Sequence, residues 1–352
     1  MKIRQLRAQF DAEHLDAMLI TNPINVSYLS GFTGDDSYIL VTANDMLFFT
    51  DSRYTEQVKH ETTGFRVVER RSTLLEEVVR EVKELQLKHV GFEKEYVTYA
   101  TFQLFDKYID AQMVGISGLV EKLRLIKTPE ELTIIKAACS IVDKTFEHII
   151  RYIEPGMTEL QVSNEMEHHM RKLGAKSSSF DTIVASGWRS ALPHGTATDK
   201  IIATGDIVTL DFGALYNGYI SDTTRTIAVG EPSAQLKEIY DIVLQAQLRG
   251  VDALKPGMTG IEADAVARDY ITEHGYGEAF GHSTGHGIGR EVHEAPALSH
   301  RSSYTLEAGM CVTCEPGIYI PEVGGVRIED DILITDTGHE LLTHATKDLI
   351  IL

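Results

Sequence analysis

Along residues 1–120, short apolar runs alternate with amphipathic stretches. Strand-like runs lie at Ala17–Ile20, Tyr38–Thr42, Met46–Thr50, Arg66–Glu69, His89–Phe92 and Met113–Ile116. Between them, helical spacing of apolar positions covers Ile3–Glu13, Arg53–Glu61, Leu74–Leu85 and Thr101–Ile109. That alternation predicts an α/β domain, a sheet flanked by helices. Asn22-Pro23-Ile24-Asn25 and Gly31-Phe32-Thr33-Gly34 read as turns. Neither a phosphate-cradling loop nor a dinucleotide fingerprint is recognisable.

The pattern changes near residue 122. Thr128-Pro129-Glu130-Glu131 offers an N-cap, a proline at the first helical position and acids in the first turn. It opens an amphipathic helix predicted to run to about Tyr152. We therefore expect an α/β domain at 1–122 and a second, α+β domain at 123–352. The second domain contains a repeat: Glu154-Pro-Gly-Met-Thr158 recurs as Lys255-Pro-Gly-Met-Thr259. Each copy follows a long predicted helix (129–152, 233–254) and precedes another (159–173, 260–274) that ends at Gly174 or Gly275. A histidine-bearing loop and a hairpin with two acids complete each half. Two copies are too few for a solenoid. A pair related by a pseudo-two-fold axis, sharing one site at the junction, fits the order of elements.

Asn217-Gly218 between apolar runs is a strong hairpin signal. With that turn Tyr216 faces Tyr219 and Gly213 faces Asp222, so Asp211 is a diagonal neighbour of Asp222, about 7–8 Å away between Cα atoms. Two aspartates aimed at one spot repel unless a cation lies between them. In the second half, a turn centred on Glu322 sets Glu315 opposite Glu329, with Arg327 on their face. A slip of one residue would separate the glutamates.

The segment His282-Ser-Thr-Gly-His286-Gly-Ile-Gly-Arg-Glu-Val-His293-Glu294 crowds three histidines among glycines that each disfavour a helix by roughly 1 kcal/mol. It reads as a loop or extended segment, not a helical zinc motif. Four carboxylates with an imidazole such as His286 are too anionic for one closed zinc site. They suit two divalent cations with bridging carboxylates, Mn²⁺ or Co²⁺ ahead of a thiolate metal, with Zn²⁺ or iron left open.

Composition narrows the partners. A net charge of −19, from 33 Lys and Arg against 52 Asp and Glu, argues against nucleic acid, and solubility explains it. No apolar run approaches the ~20 residues that span a bilayer. The start, Met1-Lys2-Ile3-Arg4-Gln5-Leu6, lacks the apolar core of a signal peptide. Three cysteines cannot build a disulfide framework, which fits a reducing cytoplasm. Cys311 and Cys314 lie within a predicted strand without a second pair, and read as small buried apolar residues.

The order Asp211, Asp222, His286, Glu315, Glu329 resembles the five metal ligands of the pita-bread metallopeptidases. That family comprises methionine aminopeptidase, aminopeptidase P and prolidase, with metal-free creatinase as a relative. Leu192-Pro193-His194-Gly195, Asp211-Phe212-Gly213, Glu315-Pro316-Gly317 and Val326-Arg327-Ile328-Glu329-Asp330 match as well, so the resemblance spans nearly the whole chain. The N-terminal domain, His282 and Arg327 resemble the proline-specific branch. The resemblance implies a creatinase-like α/β domain, a pita-bread catalytic domain, two divalent metal ions and hydrolysis of Xaa-Pro bonds. Prolidase action on dipeptides and aminopeptidase P action on longer peptides both remain open. It further implies that Asp211 chelates one metal, Asp222 and Glu329 bridge, and His286 and Glu315 complete the other. Glu315 would take the proton of the attacking water and His293 would meet the carbonyl oxygen. His194, His282 and His293 are candidates for substrate contact and proton shuttling, and Arg327 for holding substrate or the bridging acids. A homodimer is implied, with Asp35–Tyr38 or Asp51–Tyr54 as segments to reach a partner. A module that binds peptide without cutting it is the remaining alternative, though such proteins usually lack ligands and none is missing here.

Overall fold

Six strands, β1 (Ala17–Ile20), β2 (Tyr38–Thr42), β3 (Met46–Thr50), β4 (Arg66–Glu69), β5 (His89–Glu93) and β6 (Gln112–Ile116), form a mixed sheet in the order β4-β3-β2-β1-β5-β6. The pairs β1–β2 and β2–β3 are antiparallel, and β3–β4, β1–β5 and β5–β6 are parallel. Alternate residues of β1 feed two cores. Met18 and Ile20 pack with Val41 and Phe48, while Ala17 and Leu19 pack with Leu40, Leu47 and Phe49. A sheet covered on both faces needs continuous apolar runs, which is why these strands read as they do. The sheet's helices are α1 (Lys2–Arg7), α2 (Phe10–Glu13), α3 (Pro23–Ser30), α4 (Thr55–Glu61), α5 (Leu74–Glu84) and α6 (Tyr99–Tyr108).

Two expectations change here. The single helix over Ile3–Glu13 is two, because the chain tightens at Gln9, whose N–H bonds the Leu6 carbonyl, while Arg7 reaches the carbonyls of Thr42 and Asp45. The Asn22–Asn25 turn is instead the start of α3. Asn22 caps it by accepting from the Ile24 N–H, Pro23 occupies the first turn, and left-handed Gly31 ends it.

This is a computed structural model describing residues 1–352, and the chain divides into two compact units, Met1–Arg124 and Leu125–Leu352. The short α7 (Glu121–Leu125) spans the division. In the second unit α8 (Pro129–Ile149) and α9 (Glu159–Lys172) precede β7 (Ser177–Ser178), β8 (Ile183–Ser186), β9 (Asp206–Phe212), β10 (Ala214–Tyr216), β11 (Tyr219–Ile220) and β12 (Thr223–Val229). Then α10 (Ala234–Ala253) and α11 (Gly260–Glu273) precede β13 (Gly285–Gly287), β14 (Glu294–Leu298), β15 (Cys311–Cys314), β16 (Gly317–Ile320), β17 (Gly324–Arg327), β18 (Asp330–Ile334) and β19 (His339–Leu341).

The repeat is structural. Thr158 and Thr259 cap α9 and α11 with full capping boxes, completed by Gln161 and Glu262. Each threonine also bridges to a later segment of its own half, at Ile201 and Thr305. The first half forms sheets β12-β9-β8 and β11-β10-β7, and the second β14-β13-β15-β18-β19 with the β16–β17 ribbon. The halves are joined where Thr226 Oγ1 donates to the Arg327 carbonyl (2.8 Å) and the Glu329 N–H donates to the Thr224 carbonyl (3.0 Å). Deep in that junction, Arg225 pairs with Asp330 at 2.7 Å and also bonds the Glu329 carbonyl. The free thiols Cys139, Cys311 and Cys314 are all buried. No helix is long and apolar enough to cross a membrane.

Candidate metal centre

Both hairpins keep the pairing that their turns dictate. Asn217 and Gly218 take positive φ, Tyr216 pairs with Tyr219, and the same register runs through to Asp211 opposite Thr224. Gly213 sits at the kink between β9 and β10, where a side chain would run into the Ser221 carbonyl and the Ser179 hydroxyl. Asp211, two residues before Gly213, and Asp222, next to Ser221, both line the cavity described below. In the second half Gly317 pairs with Arg327 and Cys314 with Asp330, a register centred on Glu322, whose φ is +66°. Glu315 and Glu329 fall between the β15–β18 and β16–β17 ladders, at matching positions in that register and outside both pairings. The histidine segment is not helical: a short strand, β13, carries His286 with its N–H on Thr313 Oγ1 at 3.1 Å, and bends over 289–293 lead to His293.

These elements converge on one cavity of about 740 Å³. Asp211, Asp222, His286, Glu315 and Glu329 line it together with His194, His282, His293 and Arg327. Donor atoms of Asp222, His286 and Glu329 lie within 4.8 Å of one another. His286 Nε2 is 3.3 Å from Glu315 Oε1 and 3.8 Å from Asp222 Oδ2. His293 approaches His286 with ring centroids 4.5 Å apart, and His194 is a solvent-exposed part of the wall.

The fold alone makes this acid cluster costly. Burial, then the charges of Glu329 and Asp211, pushes the Asp222 carboxyl well above its ordinary range. Burial, then Glu315 and Asp211, does the same to Glu329, and burial raises Glu315. Burial lowers the imidazoles of His282, His286 and His293, favouring their neutral, ligand-competent form. Divalent cations among the acids would relieve their mutual repulsion. The donor set fits such ions in a further respect. Asp211 Oδ2 accepts from Arg327 at 2.6 Å, but its buried Oδ1 has no hydrogen-bond partner. Leaving such an oxygen unsatisfied costs about 1–3 kcal/mol, more for a charged group.

Supporting residues escaped the sequence reading. Thr224 Oγ1 donates to Glu329 Oε2 (2.6 Å) and accepts from Arg327 Nε (3.1 Å). Thr313 Oγ1 donates to Glu315 Oε1 at 3.3 Å, and the Asp331 carboxylate accepts the Asp222 N–H at 2.8 Å. Tyr319 OH accepts from Arg327 (2.7 Å) and meets His282 Nε2 (2.8 Å). A strand's period of two was the available signal for the threonines: each lies two residues from an acid, hence on its face.

The model for metallopeptidase family M24 matches residues 133–336, and that for the creatinase/prolidase N-terminal domain matches residues 2–126. The chain belongs to metallopeptidase family M24. It is 54% identical over 353 residues, 100% of both chains, to the uncharacterized peptidase YqhT of Bacillus subtilis strain 168. It is also similar to a solved Xaa-Pro dipeptidase from Bacillus anthracis, at 57% identity and a TM-score of 0.98 over 100% of this chain and 99% of that one. A solved X-Pro aminopeptidase from Thermotoga maritima MSB8 matches at 43% identity and a TM-score of 0.90, covering 96% and 98%. The protein is thus a metallopeptidase of pita-bread fold, and its family binds divalent metal ions.

Proposed function

We propose that this M24 metallopeptidase hydrolyses Xaa-Pro bonds, foremost in dipeptides, in the cytoplasm and as a homodimer. Two divalent cations would be held by Asp211, Asp222, His286, Glu315 and Glu329, Mn²⁺ first, with Co²⁺ and Zn²⁺ as alternatives. The observation that carries the reading is the convergence of these five donors, from two hairpins and β13, on the cavity that His282 and His293 also line. When bound, the ions supply Lewis acidity and lower the pKa of water at the site.

The chain's own groups then divide the work. Glu315, made more basic by burial, accepts the proton of the attacking water. His293 stays neutral at pH 7, because burial lowers its pKa, and its ring N–H meets the charge developing on the carbonyl oxygen. The proline nitrogen carries no hydrogen in the substrate and must gain one to leave. Glu315 returns that proton, with His194 as the second candidate. His282 has both ring nitrogens engaged, Nδ1 with the Ser283 carbonyl and Nε2 with Tyr319 OH, each at 2.8 Å. That suits a fixed wall against the substrate better than a proton carrier. Arg327 is committed to Asp211, Thr224 and Tyr319, so its role is to orient the acids.

A rate comparison on Ala-Pro, Ala-Pro-Ala and Ala-Ala tests the reading. Ala-Pro should be preferred, with activity lost on chelation and restored by Mn²⁺. Equal rates on Ala-Ala and Ala-Pro would overturn proline specificity. A preference for Ala-Pro-Ala would turn the assignment to an X-Pro aminopeptidase, the activity named for the Thermotoga maritima relative. Metal retention without any cleavage would favour a peptide-binding module.

A further inference from the structure

Behind the cavity, α11 turns a charged pair inward. Asp264, 1% exposed, sits beside the buried Ala263 and near Ala267. Arg268, one helical turn on, donates Nε to Asp264 Oδ2 at 2.6 Å and a terminal N–H to Oδ1 at 2.8 Å. A forked pair of this kind, with one member fully buried, is tolerated only when its other hydrogen-bonding positions are filled. Here they are filled by a single segment. Asp264 Oδ1 accepts from the Thr284 N–H (3.1 Å) and hydroxyl (2.8 Å). Arg268 donates to the carbonyls of Phe280 (2.9 Å) and His282 (2.6 Å), and its guanidinium lies 4.3 Å from the Phe280 ring centre. The Thr284 carbonyl in turn accepts the Glu315 N–H at 2.7 Å. Gly281 within the segment adds no stiffness of its own.

We propose that Asp264 and Arg268 are positioning residues with separate outputs: Arg268 sets His282 against the substrate, and Asp264 sets Glu315 through Thr284. The inference rests on the Xaa-Pro reading of the site. Neither residue lines the cavity, so each acts through the backbone of the segment it holds. A displacement of about 1 Å in such a frame costs roughly a hundredfold in rate.

The test is steady-state kinetics of Arg268→Gln, Arg268→Lys, Asp264→Asn and Thr284→Val on Ala-Pro, using Mn²⁺-loaded enzyme. Metal affinity is measured by chelator competition, and melting temperature checks folding. Arg268→Gln should raise KM about tenfold or more with a smaller change in kcat, the size expected when a supporting contact is removed. Arg268→Lys should recover part of that loss. Asp264→Asn and Thr284→Val should lower kcat with KM nearly unchanged. Equal losses of kcat in all four variants at constant KM, as a falling folded fraction would give, would overturn the proposal. So would unchanged kinetics in Arg268→Gln and Thr284→Val, the two changes that remove the bonds to the segment. These outcomes count only if the wild type prefers Ala-Pro; if it cleaves Ala-Ala as fast, the Xaa-Pro reading itself has failed.

Discussion

The two halves of the catalytic unit build their acid-bearing hairpins on the same plan but anchor them differently. In the first half both aspartates are held from across the junction: Asp211 by Arg327, and the Asp222 backbone by Asp331. In the second, Glu329 is held from across the junction by Thr224, whereas Glu315 is held by Thr313 and Thr284 of its own half. The imidazoles divide unevenly too. His286 is largely buried in the second half, and the first contributes only the exposed His194. The repeat therefore duplicates a frame, while the chemistry is complementary, and most of the acids depend on the other half for orientation.

The largest expected effect comes from cutting the junction. Arg225→Met takes from the buried Asp330 one of its two cations, Lys347 remaining at 2.6 Å. It also orphans the Glu329 and Ala345 carbonyls that the guanidinium bonds, at about 1–3 kcal/mol for each buried group left unsatisfied. Chemical denaturation should show that loss, and a change under about 1 kcal/mol would mean that the halves do not depend on this contact. Next come the shared acids. Asp222→Asn and Glu329→Gln, one from each half, should each reduce Ala-Pro turnover beyond the roughly 10–100-fold expected for a supporting contact. If one half dominates, the two losses will differ widely.

A pH titration sharpens the same pair. The folded-state pKa of Asp222 is raised, so the chelated folded protein binds more protons than the unfolded chain between the ordinary carboxylate range and that raised value. The stability contributed by that proton is fully present below the ordinary range and is lost as pH rises through the folded pKa. Chelated wild type should therefore lose stability relative to Asp222→Asn as pH rises from about 4, and the gap should close when Mn²⁺ is added. A constant gap would contradict the mutual repulsion assigned to the acids in the chelated protein. The smallest effects are the threonines. Thr224→Val, across the junction, should weaken metal binding about tenfold. Thr313→Val, with a longer bond inside its own half, should weaken it less.

Legibility followed the range of the interactions. Both hairpin centres could be read because Asn217-Gly218 and the Glu322 turn set pairing locally, and register carries that information along the strands to the acids. The break at Ala8–Gln9 and the helix begun by Asn22-Pro23 differ from what the local pattern predicts. The first arises from contacts to Thr42 and Asp45, and the second is a capping signal that also reads as a turn. Asp331, Arg225 and the Asp264–Arg268 pair were invisible because their partners are distant in the chain or meet them only after α11 packs. An acid and an arginine four apart on the apolar side of that helix was the one local hint.

Metal stoichiometry tests the central claim most directly. Chelated wild type, Asp222→Asn and Glu329→Gln would be titrated with Mn²⁺, and bound metal and Ala-Pro turnover followed together. The account predicts two ions per chain for the wild type, with turnover rising as they bind. It also predicts lower occupancy and lost turnover in each variant, whichever half carries the change. A variant in either half that keeps both ions and the wild-type rate would contradict a single site shared across the junction.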